Sequence, residues 1–171
     1  SFSEDSNGVI WIGTFSSGLV SYNPKTEKLR HHASEAFQKF ELQNGNIRKV
    51  IVDKDDNVWM GTRKGIYRFN QKKNEVVSFN TKIRNLSKGV VADFIVFALY
   101  EDSKNNIWVG TDGYGLFSYS SVEDSFTWHG KDSEIRNMSI NSITQTYDGF
   151  YWLGTDDGLI RYDQANENFR I

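Results

Sequence analysis

The chain has 171 residues, 15% of them aromatic, with 14 glycines, one proline and no cysteine; 20 basic residues face 22 acidic ones for a formal charge of −2. That length allows one domain with a substantial core. The charge gives no reason to expect nucleic acid or an anionic membrane as partner, the lack of cysteine excludes disulfides, zinc–thiolate sites and thiol nucleophiles, and no apolar run approaches the ~18 residues of a membrane span.

The chain opens in mid-pattern at Ser1-Phe2-Ser3-Glu4-Asp5, without initiator Met or signal peptide, as expected of a piece of something longer. A turn-rich Ser6-Asn7-Gly8 follows, because short polar side chains bond the local backbone and Gly or Asn tolerates positive φ. Two short apolar runs around such a turn predict a β-hairpin, and its second strand, Val9-Ile10-Trp11-Ile12, is apolar on both faces, as a strand covered on both sides must be. Gly13-Thr14 ends it. After a tight turn a third strand starts at Gly18 and runs to Tyr22, and a fourth carries Leu29. The connector from Ala33 to Asn46 is read as containing one or two helical turns between Ala33 and Phe40.

The same phrase then returns: Trp59-Met60-Gly61-Thr62, Trp108-Val109-Gly110-Thr111 and Trp152-Leu153-Gly154-Thr155, so that the tryptophans at 11, 59, 108 and 152 stand 48, 49 and 44 residues apart. A period in that range signals one supersecondary unit copied several times. Nine positions before each Trp stand the apolar Phe2, Val50, Leu99 and Ile143; six before stand Asp5, Asp53, Asp102 and, breaking the pattern, Thr146. Third strands begin at Gly65, Gly115 and Gly158, and fourth strands hold Phe79, Trp128 and Phe169. No stretch shows a convincing 3.6-residue period. Four antiparallel strands per ~48 residues, repeated, predict an all-β chain of four β-propeller blades. They are bounded as residues 1–32 with a partial first strand, 33–79, 80–129 and 130–171, each of the last three with its connector. A residue found in every copy serves the fold, so Trp11, Gly13, Trp59, Gly61, Trp108, Gly110, Trp152 and Gly154 are assigned to packing between blades.

These residues resemble the two-component regulator propeller repeat: its Trp-x-Gly-Thr and Gly-Leu-x-x-Tyr blocks recur in all four copies, and its trailing Tyr-Asp/Asn-Pro at Tyr22-Asn23-Pro24 and partly at Tyr162-Asp163. Thr146 for Asp and Phe69 for Tyr are the departures. The resemblance implies a seven-bladed parent propeller in the periplasmic sensor region of a membrane-anchored, often hybrid, histidine kinase that responds to oligosaccharides. An arc of four blades would expose the outer faces of its first and last blades, and large apolar patches are rare on stable monomers. The missing blades therefore come from the parent chain or from a second copy in a homodimer. No direct membrane contact is expected of this segment.

Candidate sites are weighed against that scaffold. Asp53-x-Asp55-x-Asn57 copies the opening of an EF-hand loop, but Val58 stands where Gly is needed and Lys64 where a bidentate Glu belongs; the carboxylate is read as a hairpin cap. His32 and His129 fall at the end of outermost strands, where exposure is expected, and His31 is the remaining histidine. No catalytic motif or phosphate loop is present, the pair Asp156-Asp157 is explained by turn chemistry, and no catalytic residue, metal or cofactor is assigned. Function is sought where the copies differ, in the turns between second and third strands: Phe15-Ser16-Ser17, Arg63-Lys64, Asp112-Gly113-Tyr114 and Asp156-Asp157. With the connectors (33–46, 80–93 and 130–139) these turns are expected to share one face, and binding residues favour loops on a rigid scaffold. Phe15, Arg63, Lys64, Asp112, Tyr114, Asp156 and Asp157 are the candidate ligand-binding residues, for a polar ligand with apolar faces such as a small carbohydrate. The readings carried forward are a ligand-sensing module, a structural or dimerisation platform and, third, a propeller lyase or hydrolase that would depend on Asp156 or Asp112.

Overall fold

Every copy of the repeat folds as a four-stranded antiparallel meander in chain order. In the computed structural model, which describes residues 1–91 and 93–170, the first sheet comprises β1 (Phe2–Glu4), β2 (Ile10–Gly13), β3 (Leu19–Asn23) and β4 (Lys28–His31). The second comprises β5 (Ile47–Val52), β6 (Asn57–Thr62), β7 (Gly65–Asn70) and β8 (Glu75–Ser78); the third β9 (Val96–Glu101), β10 (Ile107–Thr111), β11 (Leu116–Ser120) and β12 (Ser125–His129). The fourth comprises β13 (Ile140–Gln145), β14 (Tyr151–Thr155), β15 (Gly158–Asp163) and β16 (Asn168–Arg170). Residue 92, inside the connector expected over 80–93, and residue 171, the last of the fourth expected blade, lie outside the described residues. The chain divides into two compact units, Ser1–Asn80 with the first two sheets and Thr81–Ile171 with the last two.

Within the first unit, Trp11 and Leu19 of one sheet pack on Val50, Met60, Tyr67 and Phe69 of the next. Within the second, Trp108 and Leu116 pack on Tyr151, Leu153 and Tyr162. The repeat glycine makes this approach possible: a Cβ on Gly13 would meet Ile47 and Val50 methyls at 2.7 Å, and one on Gly110 would meet the Ile140 carbonyl at 2.5 Å. The repeat threonine closes the following turn. Thr14, Thr62, Thr111 and Thr155 each donate a hydroxyl hydrogen bond to the carbonyl of the glycine at or just before the start of the next strand (Gly18, Gly65, Gly115 and Gly158), at 2.8, 3.0, 2.8 and 2.9 Å.

The aspartate six residues before the tryptophan does two things at once. One oxygen of Asp102 accepts the amides of Lys104 and Asn106 at 2.8 Å, capping the hairpin; the other accepts the Trp108 indole N–H at 2.7 Å and the Tyr151 hydroxyl at 2.7 Å. Asp5 and Asp53 hold Trp11 and Trp59 in the same way, at 2.9 and 2.8 Å. Burial opposes ionisation of Asp102, but the donors from Trp108, Asn106 and Tyr151 outweigh it and hold the carboxyl below its usual range. In the fourth sheet Thr146 bonds Asp148 and the Phe150 carbonyl instead, and Trp152 is only half-buried.

Other departures from expectation trace to particular contacts. His32 and His129 are not exposed: both are 7% accessible, stacked near the repeat tryptophans at ring distances of 4.8 and 4.6 Å, and bonded to Ser21 and Ser118. His129 also meets the Tyr162 hydroxyl at 2.9 Å, whereas His32 faces the Phe69 ring, the position where the repeat departs from Tyr. The first connector contains α1 (Glu35–Gln38), within the span read as helical, and Phe37 is its buried anchor. A second helix, α2 (Asn80–Leu86), was not expected; with Ile83 as its one buried residue, its seven residues display no readable period. Phe79 lies just beyond β8 rather than on it. In line with the expected exposure of the outer faces of the first and last sheets, Phe2 is 77% exposed where Val50 at the same repeat position is buried, and Leu159 is 56% exposed where Leu19 and Leu116 are buried.

Two predictions follow from these contacts. Asp102→Ala leaves an indole, a phenol and two amides without their acceptor and is expected to cost about 3 kcal/mol in urea unfolding, whereas Thr146→Ala costs under about 1 kcal/mol; equal costs would refute the role given to the carboxylate. Burial lowers His32 (with help from Arg30 and His31) and His129 to about 4. The unfolded chain takes up these protons below about 6.5 while the native state stays neutral, so stability falls as pH drops from about 6.5 to 4. A urea midpoint independent of pH across that window would contradict the burial of both rings.

Candidate ligand-binding turns

The turns between second and third strands are held rigidly and present different chemistry in each copy. In the first unit, the Thr14–Gly18 turn sits against the first connector: the Thr14 carbonyl accepts the Ile47 amide at 2.9 Å. Gly18, at φ +64°, lies so close to the Leu42 and Gln43 carbonyls that no side chain fits there. Phe15 projects from this turn, 72% exposed. The Arg63–Lys64 turn is pinned from behind, since the Lys64 carbonyl accepts from the Asn80 side-chain amide at 2.7 Å and the Tyr67 hydroxyl at 3.1 Å.

Between this second turn and the connector lies a cleft of about 640 Å³, lined by Phe40, Leu42, Gln43, Asn46, Arg63 and Lys64 among others. Lys64 reaches across its mouth to Glu41 at 2.6 Å, and both side chains remain largely in solvent. The hydrogen bond and charge of Lys64 hold the Glu41 carboxyl below its usual range, but a pair this exposed contributes little stability. Glu41 adopts a left-handed backbone, φ 56°, unusual for a residue with a side chain. The side-chain carbonyl oxygens of Gln43 and Asn46 are buried with no hydrogen-bond partner among the described residues. The sequence flagged this connector only by its variability; that Phe40, Gln43 and Asn46 would share a cleft with Arg63 has no local signature.

In the second unit, Asp112 and Tyr114 share one turn, shaped by Gly113 and Gly115 at φ +74° and +68°. Asp112 accepts the Ser139 hydroxyl at 2.9 Å, and the Tyr114 carbonyl accepts the Trp128 indole at 3.1 Å. The Trp128 ring is stacked on Phe117 on one side and carries the Arg136 guanidinium 5.3 Å from its centre, so its faces are occupied. Asp156 accepts the Asn141 amide at 2.6 Å, and the Asp157 amide donates to Thr155 at 3.2 Å. Both acidic side chains are exposed. The Asp112 and Asp156 turns thus reach the same short segment, Ser139–Asn141. A second cleft, of about 550 Å³ and not foreseen from the sequence, lies along the outer strands and is lined by Leu86, Phe126, Trp128, Lys131, Glu167 and Phe169 among others.

Comparison with known proteins places this geometry in context. The chain is 27% identical over 171 residues to a protein named histidine kinase P4 from Formosa agariphila, covering 98% of the chain and 12% of that protein. Its fold is similar to that of the extracellular domain of the putative one component system BT4673 of B. thetaiotaomicron, with a TM-score of 0.78 and 24% identity over 99% of the chain and 21% of the neighbour. It is similar also to the extracellular domain of the putative hybrid two component system BT3049 of the same organism, with a TM-score of 0.69 and 23% identity over 95% of the chain and 21% of the neighbour. The chain therefore spans about an eighth of the curated relative's length and about a fifth of the solved domains. The sequence pattern of the two component regulator propeller matches residues 1–16, 41–64, 89–113 and 134–157, more than half of the chain and every Trp-x-Gly-Thr block. With four Asp/Thr-to-Trp hairpins built on that pattern, the chain is a β-propeller segment and belongs to the two component regulator propeller family.

Proposed function

We propose that the chain is a ligand-sensing segment of the periplasmic region of a membrane-anchored, two-component histidine kinase, and that its ligand is an oligosaccharide. The observation that carries this reading is the cleft between the first connector and the Arg63–Lys64 turn. It combines the half-buried Phe40 ring, side-chain amides and cationic groups around a space of about 640 Å³, the mixture of apolar contact and sparse directed polar groups that small-ligand sites use. The histidine kinase and the extracellular domains to which the chain is similar support placing it on the outer side of a membrane. In this reading it does no chemistry, and phosphoryl transfer belongs to other parts of the parent protein.

A second reading is a structural or dimerisation platform without a small ligand, in which a second copy covers Phe2, Leu29 and Leu159, the exposed apolar residues on the outer faces of the first and last sheets that further blades of a longer parent would equally cover. Calorimetric titration with a panel of oligosaccharides separates the two. Saturable binding is expected, weakened at least tenfold by Arg63→Ala, with Tyr114→Ala testing the corresponding turn of the third sheet; neither substitution should change the melting temperature. Absence of binding across the panel, together with concentration-dependent self-association, would favour the platform.

A further inference from the structure

We infer that the cleft beside the Arg63–Lys64 turn takes an acidic sugar unit, a uronate within an oligosaccharide, with Arg63 as the residue that binds its carboxylate. This rests on the oligosaccharide reading and narrows it.

The cations around the cleft outnumber its carboxylates. Lys64 is matched by Glu41 at 2.6 Å, Lys39 lies 5.3 Å from the centre of the Phe40 ring that lines the cleft, and Arg63 stands in solvent with no ion pair among the described residues. A guanidinium offers parallel N–H donors that match a carboxylate, which a neutral hydroxyl cannot use as fully. The charge is a property of this copy alone, for the corresponding turns of the third and fourth sheets carry Asp112 and Asp156-Asp157. The Lys64–Glu41 pair is exposed on both sides, so a ligand carboxylate can replace Glu41 beside Lys64 at little cost.

The cleft also asks for donors. The side-chain oxygens of Gln43 and Asn46 are buried acceptors that nothing among the described residues satisfies. Turning either side chain toward the cleft would bring its oxygen within reach of a hydroxyl donor, and sugar hydroxyls are such donors. A simple anion such as acetate would serve Arg63 but leave these amides unmet; a neutral sugar would serve the amides but leave Arg63 unused. A uronate supplies both. The half-buried Phe40 ring gives its apolar ring face a surface to rest on.

The test is a titration of the whole chain, followed by NMR on the Gln43 and Asn46 side-chain amides and by calorimetry. The probes are tetrasaccharides of glucuronate, galacturonate and mannuronate, neutral gluco- and manno-tetrasaccharides, and a sulfated tetrasaccharide. Binding of at least one uronate, at least tenfold tighter than the neutral probes, is expected. So are a tenfold loss in Arg63→Gln, partial recovery in Arg63→Lys, weakening by salt and movement of the Gln43 and Asn46 signals. Equal binding of neutral and uronate probes at those signals, insensitive to Arg63→Gln, overturns the acidic specificity and leaves the oligosaccharide reading standing. Preference for the sulfated probe overturns the carboxylate assignment. No binding by any probe overturns both.

Discussion

An indole N–H held by a carboxylate six residues earlier is the interaction on which the rest of this structure depends. A tryptophan buried between two sheets must find an acceptor for its one polar group or suffer the cost of an unmet donor. Asp5, Asp53 and Asp102 supply it, and their other oxygen caps the hairpin that brings the two residues together. Local turn formation and packing between sheets are thereby coupled through a single side chain. In the second unit the coupling extends one sheet further, because the Tyr151 hydroxyl shares the Asp102 oxygen that holds Trp108. The fourth copy shows the converse. Thr146 bonds Asp148 and the Phe150 carbonyl, and the Trp152 indole has no carboxylate acceptor among the described residues.

The remaining repeat residues act around that anchor. Gly13 and Gly110 let the next sheet approach to a distance that any side chain would prevent, and the four threonines close the turns that follow. Once both ends of a turn are fixed by these bonds, side chains such as Phe15 and Arg63 between them are free to vary in chemistry. Phe15, Arg63 and Tyr114 occupy equivalent turns with unrelated chemistry for this reason. A scaffold held at the repeat can vary its turns without changing its fold, so family membership does not by itself say what the turns bind.

Much of the architecture is legible in the sequence because its determinants are local. The Asp-to-Trp spacing, the Gly-Thr strand end and the glycine opening each third strand lie within about twenty residues of one another and recur four times. What escapes is non-local. The burial of His32 and His129 depends on Trp11 and Trp108 across the sheet and on Ser21 and Ser118 on the neighbouring strand, none of which a position at a strand end announces. The helix α2 is anchored by Ile83 alone. For the candidate site, the sequence isolates Arg63 and Lys64 as unusual turn residues, but the cleft exists only because the connector doubles back to place Phe40, Gln43 and Asn46 opposite them. Chain folding creates that juxtaposition, and no spacing rule encodes it.

The most direct measurement of the central claim is the exchange of the five indole N–H protons with solvent, followed by NMR in deuterated buffer. Slow exchange is predicted for Trp11, Trp59 and Trp108, whose donors are held by aspartates, and fast exchange for Trp152, with Trp128 between them through its bond to the Tyr114 carbonyl. Protection of Trp152 equal to that of Trp108, or rapid exchange of all five, would contradict the account.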